Sequence, residues 1–249
     1  MIWLFLIIFS IVVVVIFILI MIFGYPRKEC SRIPNNEDLF DEDVAKSFQR
    51  MTNFLPFRIL HGSVIKVLKK INPKGNLVDI GCGTGNVLVR IAKEIPALEL
   101  TGVDNSSEIL ELAKKRAINN NLNIEFKIGD AENLPFSNNS IDYMVSTLSL
   151  HHWLQPKKVI DEIYRVLKKD GTFIIFDFRR DARKFFHGFL RFATKVVVPK
   201  PLKRIKEPIG SLLASYTVNE ITEIMAQTPF KNVKIKPFLA WMFISNKEL

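Results

Sequence analysis

The chain has 249 residues, 48% of them hydrophobic, and a formal charge of +10. That length fits one domain of ordinary size with a large core. Two cysteines, Cys30 and Cys82, exclude a framework of disulfides, and no Cys/His cluster has the spacing of a metal site.

Residues Ile2 to Phe23 are apolar except for Ser10. A helix over this run is about 33 Å long, enough for the ~30 Å hydrocarbon core, so a retained transmembrane anchor is expected over 1–24. The run has no basic n-region and no A-x-A-like site, which argues against a cleaved signal peptide. No Lys or Arg precedes the run, whereas Arg27, Lys28 and Arg32 follow it. The positive-inside rule then places the N-terminus outside and the remaining chain in the cytoplasm. Residues 25–43 read as a polar juxtamembrane linker, and 44–249 as the folded domain. Val44 to Ile71 is helical by pattern.

The next segment is Val78-Asp79-Ile80-Gly81-Cys82-Gly83-Thr84-Gly85-Asn86. It follows apolar strand residues and leads into a helical pattern at Val87, Leu88 and Ile91. Glycines here permit φ > 0 and let a ligand lie against bare backbone. The helix start offers unpaired N–H groups to that ligand. The spacing is G-x-G-x-G, not the G-x-G-x-x-G of a dinucleotide fold. Asp79 would repel a pyrophosphate and suits a cationic amino group. A second strand, Leu98 to Val103, ends at Asp104, at the interval where an acidic residue meets a ribose diol. Ser106 and Ser107 compete with Asp104 as caps of the helix that follows.

The residues D-I-G-C-G-T-G resemble motif I of class I S-adenosylmethionine-dependent methyltransferases. The order of later segments is similar too. Ile124 to Ile128 is followed by Gly129-Asp130-Ala131-Glu132, which resembles the adenine-binding turn. Ser140-Ile141-Asp142-Tyr143 leads a fourth strand through Ser146 and Thr147, and Asp170-Gly171-Thr172 turns into a fifth, Phe173 to Phe178. A capping-box pattern at Thr217-Val218-Asn219-Glu220 and two final apolar runs complete the likeness.

The resemblance implies an α/β fold: a Rossmann-like, seven-stranded, mostly parallel sheet with helices on both faces, its last strand antiparallel, preceded here by the one transmembrane helix. It implies S-adenosyl-L-methionine as cofactor, bound by Asp79, Gly81, Cys82, Gly83, Gly85, Asp104, Asn105, Asp130, Ala131, Ser146 and Thr147. No metal is expected.

After strand four come Ser149-Leu150-His151-His152-Trp153. His151 and His152 are candidates for a base, since histidine accepts protons near neutral pH. In the alternative, one histidine caps the next helix and the other packs. The loop is not the N/D-P-P-Y/F of amino-methylating DNA or glutamine enzymes. Leu39-Phe40-Asp41, with Val44-Ala45 and Phe48, resembles the N-terminal region of quinone-ring C-methyltransferases, although the loop after strand four departs from them.

The charge excess is local. Arg179 to Lys206 holds ten basic residues and one acidic, Asp181. Within this basic insertion (179–210), Ala182, Phe185, Phe186, Phe189, Ala193, Val196 and Val197 recur at helical spacing. Arg183, Lys184, His187, Arg191 and Lys195 fall on the other face, and Pro199 and Pro201 end the run. This is the pattern of a helix lying in an anionic membrane interface. Packing on its own domain with a solvated basic face is the competing reading. No nucleic acid partner is expected. The expected function is methyl transfer to a lipid or another amphiphilic small molecule at the lipid bilayer. The rivals are a methyltransferase of a membrane-associated protein and a cofactor-binding membrane protein without turnover.

Overall fold

Aliphatic and aromatic runs separated by turn residues build the sheet, in a computed structural model that describes residues 2–34 and 42–248 and, within the first helix, the side chains of 3, 4, 7–20, 22 and 23. The chain runs α1 (Ile2–Phe23), α2 (Glu42–Met51), α3 (Leu55–Lys70), β1 (Gly75–Ile80), α4 (Asn86–Glu94), β2 (Leu98–Asp104), α5 (Ser107–Asn119), β3 (Glu125–Ile128), β4 (Ile141–Thr147) and a 3₁₀ turn (Leu150–His152). It continues through α6 (Pro156–Val166), β5 (Leu167–Phe178), α7 (Lys184–Phe192), a π turn (Ala193–Val197), α8 (Lys200–Arg204), α9 (Ile209–Ala214), α10 (Val218–Ala226), β6 (Lys234–Pro237) and β7 (Trp241–Ser245).

Among the described residues the sheet has seven strands, ordered β3-β2-β1-β4-β5-β7-β6. The first five pair in parallel, and β7 lies antiparallel to both β5 and β6. Alternate strand residues enter two cores, because side chains switch face at each position. Val78, Ile80, Ile175, Met242 and Ile244 pack with α6 and α10. Leu77, Ile174, Phe176 and Phe243 pack with α3, α4 and α5. Each such fully buried chain contributes roughly 1.5–3 kcal/mol. The expected Rossmann-like sheet is therefore present, with its last strand antiparallel.

Several boundaries differ from expectation. The helical pattern over Val44 to Ile71 is two helices. Extended backbone at Phe54 (ψ 153) precedes a new start with Pro56 in the first turn of α3, where a missing N–H is harmless. β5 begins at Leu167 rather than Phe173, pairing Ile141 with Leu167 before a register shift to Thr172. The helix expected over 182–197 relaxes into the π turn after Phe192.

Gly102 in β2 has no room for a side chain. A Cβ there would lie 2.7 Å from Cys82 Sγ, 2.8 Å from Leu88 Cδ1 and 2.9 Å from Phe126 Cδ1. Gly102→Ala is expected to destabilise by about 1–3 kcal/mol through overpacking. At ~2–4 °C per kcal/mol for a chain of this size, thermal unfolding would show a clear drop in Tm; an unchanged Tm would contradict the packing described here.

The anchor expected over 1–24 is not shown by this structure. Among the described residues no helix is long and apolar enough to cross a membrane. The backbone of α1 is helical over 22 residues. Its longest run of described side chains, residues 7–20, amounts to only about 21 Å of helix. Those side chains are exposed.

The described part of the expected linker is docked rather than free. Lys28 N–H donates to Ala182 O at 3.0 Å, Ile33 N–H to Leu213 O at 3.0 Å, and Lys184 N–H to Pro26 O at 3.0 Å. Arg180 Nε donates to Cys30 O at 2.8 Å. Residues 35–41, including Leu39-Phe40-Asp41, lie outside the described residues.

The basic insertion divides its residues differently from the pattern. His187, expected on the solvated face, is buried, and Ala182, Thr194 and Val198 are buried as well. Arg179 and Arg180 are also buried, paired with Asp181 and Glu220. Phe189, Phe192, Val196 and Val197 remain outward at 56–68% exposure, among exposed Lys184, Arg191 and Lys195.

Candidate functional site

The glycine turn follows the end of β1. Gly81 and Cys82 both donate their N–H to Val103 O, at 2.8 and 3.0 Å, folding the turn back over β2. Gly81, Gly83 and Gly85 have φ of +67, +52 and +71, a region that L side chains enter at a cost of roughly 1–2 kcal/mol. A Cβ on Gly81 would strike Ser149 Oγ, whereas a Cβ on Gly83 would meet nothing within 4 Å. Gly83 therefore borders open space at the C-terminal edge of the sheet, where open α/β sheets bind ligands.

Asp104 braces the turn. Its Oδ2 accepts from Gly83 N–H at 2.9 Å and its Oδ1 from Ser106 N–H at 3.1 Å. Ser106, not Asp104, caps α5, accepting from Ile109 N–H at 3.3 Å. Each Asp104 oxygen keeps a second lone pair for a ligand hydroxyl. Burial pushes its carboxyl above the ordinary range, against hydrogen bonds from Gly83, Ser106 and Asn105. Asn105 is exposed beside it.

Asp79 is 1% exposed, and its Oδ1 has no hydrogen-bond partner. Burial first, and then the Asp104 charge, push its carboxyl well above its ordinary value. Thr147 Oγ1, at the end of β4, is likewise buried without a partner. Ser146 is satisfied, donating to Ile80 O at 2.9 Å. A buried polar atom without a partner is costly, so two of them at neighbouring strand ends favour a polar ligand there.

Cys82 does not face the open space. Its sulfur lies against Gly102, and burial, Asp104 and Asp79 push the thiol up. Its side chain is therefore a wall of the core, and only its backbone lines the turn. Asp130 is exposed, and its Oδ1 accepts from Glu132 N–H at 2.9 Å, forming a local turn with Ala131 at its centre. Ala131 packs beneath against the core.

His151 and His152 separate in role. His151 is buried, with Nδ1 at 2.8 and 3.0 Å from the two oxygens of Asp177. Its Nε2 is buried without a partner. His152 is half-buried, its ring 4.1 Å from that of His151. Asp177 escaped the sequence reading because it sits inside the apolar strand Phe173-Ile174-Ile175-Phe176-Asp177-Phe178. A carboxylate at a core position of such a strand is itself a usable signal, since a buried charge needs a partner. Arg32 was also missed. Its Nη2 donates to His151 O at 3.0 Å, its Nε donates to Ala214 O at 2.6 Å, and its guanidinium stacks 4.3 Å from the Tyr216 ring.

Two cavities lie outside the turn itself. One of about 460 Å³ runs along α4 from Asn86 to Glu94, lined also by Arg58 and His61, so it follows the helix rather than the strand ends. His61 there is held neutral at about 4 by burial, Arg90 and Arg116. The other, of about 280 Å³, lies where α1 ends, between Phe23, Arg27, Arg179, Asp181, Arg183 and Phe238.

Comparison with known proteins shows the family. A family described as "Methyltransferase domain" matches residues 71–229. A demethylmenaquinone methyltransferase of Thermotoga maritima is 32% identical over 84% of this chain and 94% of its own length. A ubiquinone/menaquinone biosynthesis C-methyltransferase of Rickettsia bellii is 28% identical over 72% of this chain and 75% of its own. Among solved structures, a protein of Methanococcus maripaludis described as a putative S-adenosyl-L-methionine-dependent methyltransferase superposes with a TM-score of 0.65 at 22% identity, covering 86% of this chain and 95% of that one. A plantazolicin methyltransferase bound to SAH and a substrate analogue gives 0.64 at 18% identity, covering 84% and 90%.

Proposed function

The chain belongs to the family of S-adenosylmethionine-dependent methyltransferases, and from that membership we propose that it methylates a quinone-type or similar hydroxylated amphiphile at a membrane surface. The named acceptors of the two curated relatives support the substrate class. The observation that carries the reading is where the apolar elements gather. The end of α1, the docked segment 25–33 and α7 all meet the domain beyond the C-terminal end of β5, on the same sheet edge as the glycine turn. An acceptor with an apolar tail could lie along α1 or α7 with its head at that edge.

The cofactor fits the residues present. The open space over Gly83 and the unpartnered oxygens of Asp79 and Thr147 suit a ligand with an ammonium and other polar groups. Asp79 would hold the amino group and Asp104, with Asn105, the ribose hydroxyls. Asp130 and Ala131 would hold the adenine, with Ser146 and Thr147 at the methyl end. When bound, the cofactor supplies a methyl group on a sulfonium. The protein holds the acceptor in line and excludes water.

The apolar run of α1, broken only by Ser10, and the outward aromatics of α7 support attachment to lipid. The test is incubation of the protein in its own membranes with methyl-labelled S-adenosylmethionine, followed by solvent extraction. Label in the organic phase is expected, and mass analysis of that band would name the acceptor. Label retained by precipitated polypeptide would replace this reading with a protein methyltransferase. No label in any fraction would leave a cofactor-binding protein without turnover.

A further inference from the structure

We propose that His151 accepts the proton of the methyl acceptor on Nε2, and that Asp177 is the positioning residue that aims it. This rests on the reading of the chain as a methyltransferase of a hydroxylated acceptor.

The geometry is that of an oriented base. Asp177 brackets Nδ1 of His151 at 2.8 and 3.0 Å and also accepts the His151 backbone N–H at 2.9 Å. Phe178 N–H donates to the same carboxylate at 2.6 Å. Asp177 is 0% exposed and His151 is 2% exposed. An ionised carboxylate accepts only, so in neutral His151 the proton must sit on Nδ1, and Nε2 carries the lone pair. Nε2 is buried and bonded to nothing among the described residues. His187 also has a buried nitrogen without a partner, Nδ1, but its Nε2 meets only the Arg180 carbonyl at 2.9 Å, with no carboxylate behind it. In His151 one nitrogen is held from both oxygens of a carboxylate while the other is left for a missing partner.

The pair is also placed correctly. His151 lies four residues past Thr147, and the intervening loop is pressed onto the glycine turn, with Ser149 Oγ against Gly81 and Trp153 Nε1 donating to Ser149 Oγ at 3.3 Å. Arg32 fixes the turn from outside through His151 O, and Tyr216 fixes it through a 2.9 Å bond to Trp153 O. In the step, the acceptor's O–H bond breaks, its proton goes to Nε2, and its electron pair stays with the acceptor. A new bond then forms from the acceptor oxygen, or the ring carbon it activates, to the methyl carbon. The S–CH₃ bond breaks and its electron pair remains on sulfur. Where oxygen takes the methyl group, His151 later returns its proton to solvent. Where the ring carbon takes it, the ring C–H bond then breaks, its proton goes to solvent, its electron pair restores the ring, and His151 returns its proton to the acceptor oxygen.

The charged groups facing His151 are Asp177 from β5, Glu207 ahead of α9 and Arg32 from the docked segment, with the His152 ring stacked beside it. Burial pulls His151 down, but the Asp177 charge and hydrogen bond, with Glu207, outweigh it and hold the imidazole above its ordinary 6.5, against Arg32. A base works in its neutral form, so turnover should rise with pH through a midpoint above 6.5.

The experiment uses the full chain and the isosteric Asp177→Asn variant, with His151→Gln as the second variant. Cofactor affinity by calorimetry reports whether each has folded. The probes are the native membrane extract and naphthalene-1,4-diol kept reduced. Asp177→Asn should lower kcat at least about 100-fold, with KM and cofactor affinity little changed, and should move the pH midpoint down. Nitrogen-15 spectra of the histidines, taken without cofactor, should show neutral His151 protonated on Nδ1, with its titration moved down in Asp177→Asn. Wild-type kcat and pH profile in the two variants would overturn the inference. So would neutral His151 protonated on Nε2, whatever the activity. Wild-type protein that labels no fraction would sink the methyltransferase reading instead, leaving the spectra to decide on the pair.

Discussion

Replacing Gly83 by valine is expected to abolish cofactor binding while leaving a folded domain. A side chain there enters open space, with no protein atom within 4 Å of its Cβ, so the fold does not resist it by contact. The backbone does resist: φ is +52, a conformation that costs a residue with a Cβ about 1–2 kcal/mol, and a β-branched one somewhat more. A domain with two cores can absorb that. The ligand cannot, because the same space is where it must lie against bare backbone. Affinity measured by calorimetry should fall at least about 100-fold, near 2.7 kcal/mol, with Tm lowered by only a few degrees. Unchanged affinity would move the binding site away from this turn. Gly102→Ala is the converse experiment, since its Cβ meets packed atoms and no ligand.

Asp79→Asn should weaken binding and strengthen the ligand-free protein. The buried carboxylate has one oxygen without a partner, and burial and Asp104 raise it well above 3.8. The sign follows from proton linkage. A carboxyl raised in the folded state holds its proton after the unfolded chain has lost its own, so wild-type stability falls as pH rises from 3.8 through the raised value. Asparagine has no such loss, so the variant should unfold at higher temperature than wild type at neutral pH, and the gap should close toward pH 3.8. Cofactor affinity should move the other way. A hydrogen bond to a charged group contributes about 1.5–3 kcal/mol, so a fall of about 10- to 100-fold is expected. A variant that is both less stable and unimpaired in binding would refute both halves of the argument.

Much of this was legible before any coordinates. The glycine turn is a local feature: three glycines at alternate positions after an apolar strand admit few conformations, and all three take φ > 0. A parallel sheet wound by helices follows from the alternating strand and helix patterns, and the capping box at Thr217 and Glu220 forms as its spacing predicts. Asp79 and Asp104 could be found because a fixed number of residues separates each from the turn.

The rest depends on residues far apart in sequence. Asp177 meets His151 across 26 positions, and Arg32 meets the same histidine across 119. No periodicity within one segment records such a pair. The face of α7 that turns inward was misassigned for the same reason. His187 is buried because it bonds Arg180 O at 2.9 Å, a partner set by how the insertion folds back and not by helical spacing. Sequence by itself determined the alternation of strands and helices, the glycine turn and a nucleotide-like ligand, because these rest on local backbone preference and on the alternation of apolar residues; the complete sheet and the cofactor came from the likeness to a family. Only the tertiary structure decided which histidine has a carboxylate behind it, which cations are buried, and that the segment after α1 is docked against the domain, because those outcomes depend on which distant surfaces close over one another.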